Sequence, residues 1–126
     1  MDPLMEKLSN AFGPTGFEGE VSKIMEAELK KRCPKVTYDR MGDVIGHMGS
    51  EKTEIMLGAH MDEIGLMVKS INEKGFIRFI KVGGIDDRVL PNQRVKIQIE
   101  GGKFLDGVIG TKPPAHAQGG GHEEAH

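Results

Sequence analysis

The side chains best suited to chemistry stand close together at His60, Asp62 and Glu63, directly after the apolar run Ile55–Ala59. Side chains at the carboxyl end of a buried α/β strand point into the crevice where ligands bind. Neutral imidazole is the commonest protein ligand of zinc-like ions, and residues i and i+2 of an extended segment share a face. We therefore predict one site, in which His60 is a metal ligand and Asp62 is a catalytic carboxylate or orients a neighbouring group.

The same three residues also have a simpler interpretation. In it, His60 is a hydrogen-bonded turn residue, and the carboxylates of Asp62 and Glu63 are solvated. Spacing alone favours this interpretation, because no other metal ligand stands nearby in the sequence. The local pattern leaves both interpretations open.

A second candidate pattern lies at His122–His126, where His-Glu-Glu-Ala-His fits the H-E-x-x-H motif of zinc peptidases. That motif works on a helix, where both histidines stand on one face with the glutamate beside the metal. Gly119–Gly121 precede it, and no third ligand follows it. We expect a flexible tail over residues 113–126, whose histidines, including His116, bind metal only adventitiously.

Two helices are expected first in the chain. Asp2 can cap a helix that has Pro3 at its first position and an apolar stripe continuing to Phe12. The loop Gly13–Gly16 then breaks this helix. The second helix is expected from Phe17 or Glu18 to Arg32, with the basic residues 30–32 in its last turn.

After Pro34 the hydrophobic period falls to about 2 residues, which predicts strands. About seven short strands are expected, at Lys35–Arg40, Asp43–Met48, Thr53–Ala59, Ile64–Ile71, Phe76–Val82, Gln93–Glu100 and Lys103–Ile109. The third of them is nearly all apolar, which is typical of a strand buried on both faces of an α/β sheet. The predicted fold class is α/β.

Composition narrows the class of protein. With 17 basic and 19 acidic residues the net charge is −2, which gives no broad attraction to nucleic acid or to a membrane surface. No run of about 18 apolar residues and no signal-peptide pattern is present. The single cysteine excludes an internal disulfide and is typical of a reducing cytosol. We expect a cytoplasmic protein without nucleic-acid or membrane partners.

Five ordered strings of the sequence resemble one family. Ile55–Gly65 carries the His-x-Asp signature of the co-catalytic metallopeptidases. More narrowly, it resembles the tetrahedral (TET) aminopeptidases, also called glutamyl or deblocking aminopeptidases and sometimes labelled cellulase-like. The other matching strings follow the order of the family: Leu8–Glu18, Asp39–Gly46, Val82–Leu90 and Asp106–Pro114. Matches that span nearly the whole chain indicate membership of this family.

The resemblance implies a metal-dependent aminopeptidase. In this family two divalent ions, zinc or cobalt, activate a water that attacks the carbonyl of a peptide's N-terminal residue. His60 would be a ligand of one ion and Asp62 the assisting carboxylate. The other ligands and the general base correspond to later sequence that this chain lacks. We therefore expect an N-terminal fragment that is inactive by itself.

The resemblance also implies a division into domains. Residues 1–65 would form the N-terminal part of the catalytic α/β domain. Residues 66–112 would form part of an inserted small β-barrel that makes subunit contacts, so a homo-oligomer is expected. The alternative function is a non-catalytic assembly module. A glucanase is disfavoured, because the adjacent Asp62 and Glu63 would point to opposite faces of an extended segment rather than flank a sugar.

Overall fold

The computed structural model of the chain describes residues 2–50, 52 and 55–111. Over these residues two α-helices precede six strands. The helices are α1 (Pro3–Asn10) and α2 (Gly19–Leu29), and the strands are β1 (Lys35–Tyr38), β2 (Val44–His47), β3 (Gly65–Ile71), β4 (Ile77–Val82), β5 (Arg94–Gln98) and β6 (Phe104–Val108). The mixed α/β class predicted from the sequence is confirmed.

The start of α1 follows the capping signal in the sequence. Asp2 has an extended backbone, and its Oδ1 accepts a hydrogen bond from the Leu4 N–H at 2.7 Å. Pro3 takes the first helical position, where the missing N–H costs nothing. The helix ends at Asn10 rather than at the predicted Phe12.

The second helix is shorter than predicted. It ends at Leu29 rather than Arg32, so the basic residues 30–32 follow its last turn instead of lying within it. The backbone tightens at this point, because the Arg32 N–H donates to the Leu29 oxygen at 2.9 Å. Pro34 disfavours a helical conformation of Cys33, which prevents the helix from continuing.

The strands form three two-stranded sheets, which pair β1 with β2, β3 with β4, and β5 with β6. The first and third pairs are antiparallel. Side-chain oxygens fix two of the turns: Asp39 Oδ1 accepts two backbone N–H bonds at 2.8 and 2.9 Å, and Asn72 Oδ1 accepts two at 3.0 and 2.9 Å. Each turn also contains a glycine at positive φ, Gly42 and Gly75. Both turns lie between strands that the sequence predicted, Lys35–Arg40 and Asp43–Met48 for the first and Ile64–Ile71 and Phe76–Val82 for the second.

The predicted buried strand Thr53–Ala59 is wrong over its described part, residues 55–59. These residues form no strand, and Ile55, Met56 and Leu57 are 78%, 88% and 93% exposed. An apolar run becomes a buried strand only when other strands pair with it and helices cover its faces. Among the described residues no strand pairs with this segment. The candidate site therefore follows an exposed segment without regular secondary structure instead of the end of a buried strand.

The chain divides into two compact units. One consists of Met1–Met67 with Lys81–Gly83, and the other of Val68–Ile80 with Gly84–His126. Ala11 and Val21 are the buried apolar side chains described in the first unit, and Ile109 is the one described in the second. The core of each unit is therefore small over the described residues. The catalytic-domain assignment of residues 1–65 and the β-barrel assignment of residues 66–112 stay predictions.

Two further expectations concern membranes and the tail. Neither α1 nor α2, the α-helices of the described residues, has the length and apolar character that a membrane crossing requires. The predicted tail at residues 113–126, with His116 and the pattern at His122–His126, lies outside the described residues.

Candidate metal centre

The candidate residues lie on a segment that backbone hydrogen bonds tie to the loop after α1. The Glu63 N–H donates to the Gly13 oxygen at 2.9 Å, and the Thr15 N–H donates to the Glu63 oxygen at 3.2 Å. These two bonds form a parallel bridge between Pro14 and Glu63. The loop therefore fixes the backbone next to Asp62, even though the preceding segment is not a strand.

Two glycines permit this close approach. A Cβ on Gly13 would lie 2.6 Å from Val21 Cγ2, and a Cβ on Gly65 would lie 2.9 Å from Pro14 Cβ. Both distances are shorter than carbon atoms tolerate, so these positions require glycine. Gly16 then turns the loop with a φ of 87°, a conformation that favours glycine.

His60 and Asp62 are in direct contact. Nδ1 of His60 lies 3.1 Å from Oδ1 of Asp62 and 3.0 Å from the main-chain oxygen of Asp62. Both oxygens are acceptors when the carboxylate is ionised, so Nδ1 of a neutral ring must carry the proton. The lone pair of that ring then lies on Nε2, which is the atom left for a metal ion. The structure brings the two predicted residues together, while their roles stay predictions.

Thr15 holds the Asp62 carboxylate from a second side. Its hydroxyl donates to Oδ2 of Asp62 at 2.7 Å, whereas Oδ1 faces His60. The Thr15 hydrogen bond is the main cause that keeps the pKa of the Asp62 carboxyl below its ordinary value of 3.8; partial burial opposes it, and His60 adds a smaller lowering effect. The side chain of Asp62 is 35% exposed and that of His60 is 87% exposed. Asp62 is therefore an ionised carboxylate held by Thr15, and it contacts the accessible ring of His60.

Glu63 serves a different partner. Its Oε1 accepts a hydrogen bond from the Gly13 N–H at 3.4 Å. The neighbouring carboxylates thus have different partners, Gly13 for Glu63 and Thr15 with His60 for Asp62. Glu63 supports the loop contact, and Asp62 supports His60.

The other histidines and the cysteine either have different surroundings or lie outside the described residues. Nε2 of His47 lies 2.8 Å from the Thr37 hydroxyl on the β1–β2 hairpin. Cys33 is partly buried and packs against β2, where a Cβ on Gly46 would lie 2.7 Å from its Sγ. The tail histidines are the ones outside: His116, His122 and His126.

The donor chemistry at His60 suits zinc or cobalt, although the described residues supply few ligands. Across residues 2–50, 52 and 55–111, no three His, Cys, Asp or Glu side chains come close enough to hold a metal ion. Structural zinc takes four ligands, and catalytic zinc usually takes three from the protein. The His60–Asp62 pair thus fits one part of a metal site, namely an imidazole ligand with the carboxylate that orients it.

Thr15 contacts the site, although no catalytic motif in the sequence includes it. The sequence predicted its loop only as a break between two helices. The available signal was the string Gly-Pro-Thr-Gly at residues 13–16, in which glycines flank a hydroxyl donor. Only the fold places that donor beside Asp62.

The sequence pattern of the M42 glutamyl aminopeptidases matches residues 42–126. The matched stretch makes up more than half of the chain and contains both His60 and Asp62. The chain belongs to the M42 glutamyl aminopeptidase family, which confirms the resemblance that its five strings indicated.

Several of the similar proteins carry aminopeptidase or peptidase names, and one solved structure, from Thermotoga maritima, is named an endoglucanase and matches with a TM-score of 0.72 and 30% identity, over 88% of this chain and 34% of that one. The chain is 34% identical to the lysyl aminopeptidase of Pyrococcus furiosus over 88% of this chain and 32% of that protein. A TET aminopeptidase from a marine sediment archaeon of the Thaumarchaeota matches with a TM-score of 0.82 and 36% identity, over 89% of this chain and 32% of that one. The TET1 peptidase of Pyrococcus horikoshii, which can assemble into a tetrahedron or a large octahedral shell, matches with a TM-score of 0.77 and 39% identity, over 88% of this chain and 34% of that one. The chain spans about a third of the length of the curated relatives it matches.

Proposed function

We propose that this chain supplies one part of the active site of a metal-dependent aminopeptidase, which removes N-terminal residues from peptides. His60 is a ligand of one of two divalent ions, zinc or cobalt, through Nε2, and Asp62 is the assisting carboxylate. The contact between His60 Nδ1 and Asp62 carries the proposal, because it places the proton on Nδ1 and leaves Nε2 for an ion. The aminopeptidase names of the relatives support the reaction and the peptide substrate.

Divalent ions in such a site polarise the substrate carbonyl and activate a water molecule. Within this chain, Asp62 orients the imidazole and selects the tautomer whose free lone pair lies on Nε2. An ionised Asp62 also makes the ring a stronger donor, since a hydrogen bond from Nδ1–H to a carboxylate raises the basicity of the other nitrogen. The high exposure of the His60 side chain leaves room for an ion and for further ligands around it.

A subunit-contact role for residues 66–112 is the second part of the proposal. We infer that these residues belong to a small inserted β domain through which copies of the protein associate. The assembly of the similar TET1 peptidase into shells supports this inference. Two apolar side chains of β6 in the second unit, Leu105 and Val108, are 54% and 67% exposed and can make such contacts. The same observation would also suit a purely non-catalytic assembly module, which the metal test below separates from an active-site fragment.

Zinc binding tests the proposed role of His60. The experiment uses the tail-substituted chain, which is the 126-residue chain carrying His116→Asn, His122→Asn and His126→Asn. Zinc is added while the imidazole signals are followed by NMR. We expect weak binding that His60→Ala abolishes. Asp62→Ala should weaken it by about 10-fold or more, because losing the partner that orients a ligand typically costs about 10- to 100-fold in affinity.

The matched control is His47→Ala. Like His60→Ala, it removes a surface imidazole, but the partner of this imidazole is the Thr37 hydroxyl and not a carboxylate. Zinc binding should be unchanged in this variant. Binding that survives His60→Ala, or that falls equally in His47→Ala, would contradict the metal role and favour the assembly module.

A further inference from the structure

We propose that Thr15 is a positioning residue of this site, whose hydroxyl fixes the Asp62 carboxylate and, through it, the orientation of the His60 ring. The inference rests on the proposed function for its link to metal binding. The geometry that carries it involves only residues of this chain in the first unit. It adds a third member, from the loop after α1, to the pair that the sequence predicted.

The two oxygens of Asp62 have different partners. Oδ2 accepts from the Thr15 hydroxyl at 2.7 Å, and Oδ1 faces Nδ1 of His60 at 3.1 Å. A carboxylate held at one oxygen can rotate about its side-chain bonds. A carboxylate held at both oxygens by groups on different segments cannot rotate without breaking a hydrogen bond. The Thr15 bond therefore fixes the plane in which Oδ1 meets the imidazole.

The loop presents the Thr15 hydroxyl from a defined position. The Thr15 N–H is bonded to the Glu63 oxygen, and the Phe17 N–H donates to the Pro14 oxygen at 2.7 Å. Glu18 Oε1 accepts from the Gly16 N–H at 2.6 Å, which closes the loop from the other side. Threonine is branched at Cβ, so its χ1 is restricted and the hydroxyl loses little freedom when it binds.

Asp62 and His60 have no comparable anchor by themselves. The His60 side chain is 87% exposed, so little of the protein besides Asp62 surrounds the ring. Without the Thr15 hydroxyl, the carboxylate and the ring would move together. The ring could still donate to the main-chain oxygen of Asp62, so the ring alone would respond weakly to the loss of the Thr15 hydroxyl. The position of the Asp62 carboxylate is therefore the most sensitive quantity to measure.

The experiment compares Thr15→Val and Thr15→Ser in the tail-substituted chain. The matched control is Thr37→Val, which removes the hydroxyl that faces His47 and leaves the site untouched. Two measurements need no metal: the χ1 rotamers of Asp62 from three-bond NMR couplings, and the His60 tautomer from ring ¹⁵N shifts at about pH 8, where imidazole is neutral. Zinc affinity at His60 is then measured by adding zinc alone.

We expect one dominant Asp62 rotamer in the parent chain and in Thr15→Ser, and averaged rotamers in Thr15→Val. The Nδ1–H tautomer of His60 should become less populated in Thr15→Val. Zinc affinity should fall by about 3- to 10-fold in Thr15→Val and stay within about 2-fold in Thr15→Ser, less than the loss of a direct orienting partner. Thr37→Val should change the His47 signals only.

An Asp62 side chain that keeps one rotamer in Thr15→Val would overturn the proposal, as would equal averaging in Thr37→Val or in Thr15→Ser. Thr15 is exposed, so neither substitution should unfold the chain, and the His47 signals report on the fold. Thr15→Ala, which also lacks the hydroxyl and is smaller, is the second variant if Thr15→Val perturbs the loop. If zinc fails to bind His60 while the Asp62 rotamers respond to Thr15, the metal role fails and the positioning role stands. If zinc binds His60 while the Asp62 rotamers do not respond to Thr15, the positioning role fails and the metal role stands.

Discussion

Replacing Gly13 with alanine should destabilise the first unit by about 1–3 kcal/mol, the usual range for overpacking. The new Cβ would lie 2.6 Å from Val21 Cγ2, and Val21 is only 7% exposed. Valine in a helix has one strongly preferred χ1, so Val21 cannot rotate away at low cost. The overlap must instead push the loop from α2, which strains the backbone bond between Gly13 and Glu63.

Urea unfolding followed by tyrosine fluorescence measures this effect. The chain has one tyrosine, Tyr38, and no tryptophan, so its intrinsic emission reports on the first unit alone. With a slope of about 2 kcal/mol per molar urea, a loss of about 2 kcal/mol lowers the midpoint by about 1 M. The slope itself should stay unchanged.

Gly19→Ala is the matched control. Gly19 is the first residue of α2, and a Cβ there would meet nothing within 4 Å. This substitution should leave the stability equal or slightly higher, because alanine loses less conformational entropy in a helix than glycine. A Gly13→Ala midpoint that matches the parent chain, or an equal loss in Gly19→Ala, would refute the packing explanation.

The remaining predictions concern the Asp62 carboxyl, catalysis and the exposed apolar segment. The folded pKa of Asp62 is lowered, so its contacts contribute stability above the ordinary value of 3.8, and that contribution is lost as the pH falls through the folded pKa. ¹³C NMR measures this pKa, and Thr15→Val should raise it. An unchanged pKa in Thr15→Val would argue against the Thr15 bond. The chain alone should not turn over aminoacyl-nitroanilides with zinc or cobalt, because catalytic groups act as a unit. Turnover that His60→Ala abolishes would contradict this prediction and show that a complete site exists. Light scattering should detect self-association that decreases in Leu57→Lys, since Leu57 is 93% exposed, and a stable monomer before and after the substitution would be the opposite result.

Local signals predicted the features whose partners are close in sequence. Asp2 caps α1 through the Leu4 N–H, and Asp39 and Asn72 close turns through N–H groups no more than four residues away. The contact between His60 and Asp62 has the same origin, because the spacing i, i+2 alone places both side chains on one face. Such contacts are settled by a few dihedral angles and need no distant part of the chain.

Features that depend on distant residues could not be predicted in this way. The apolar pattern at residues 55–59 matches a buried strand, but a strand also requires pairing partners, which no local pattern specifies. The Thr15–Asp62 hydrogen bond joins residues 47 positions apart, so it emerges only when the loop after α1 packs beside the site. The end of α2 is a different case, because its cause is local: helix period and charge continue to Arg32, whereas the Leu29 oxygen already accepts from the Arg32 N–H three residues on.

The most direct test of the proposed metal site is which nitrogen of His60 binds zinc. Long-range ¹H–¹⁵N spectra of the tail-substituted chain, recorded during zinc addition, distinguish the two ring nitrogens. Because Nδ1 carries the proton toward Asp62, zinc should shift the Nε2 signal while Nδ1 keeps its protonated signature. A shift of Nδ1 instead, or zinc binding that leaves both His60 nitrogens unchanged while His47 responds, would contradict the assignment of His60 as a metal ligand.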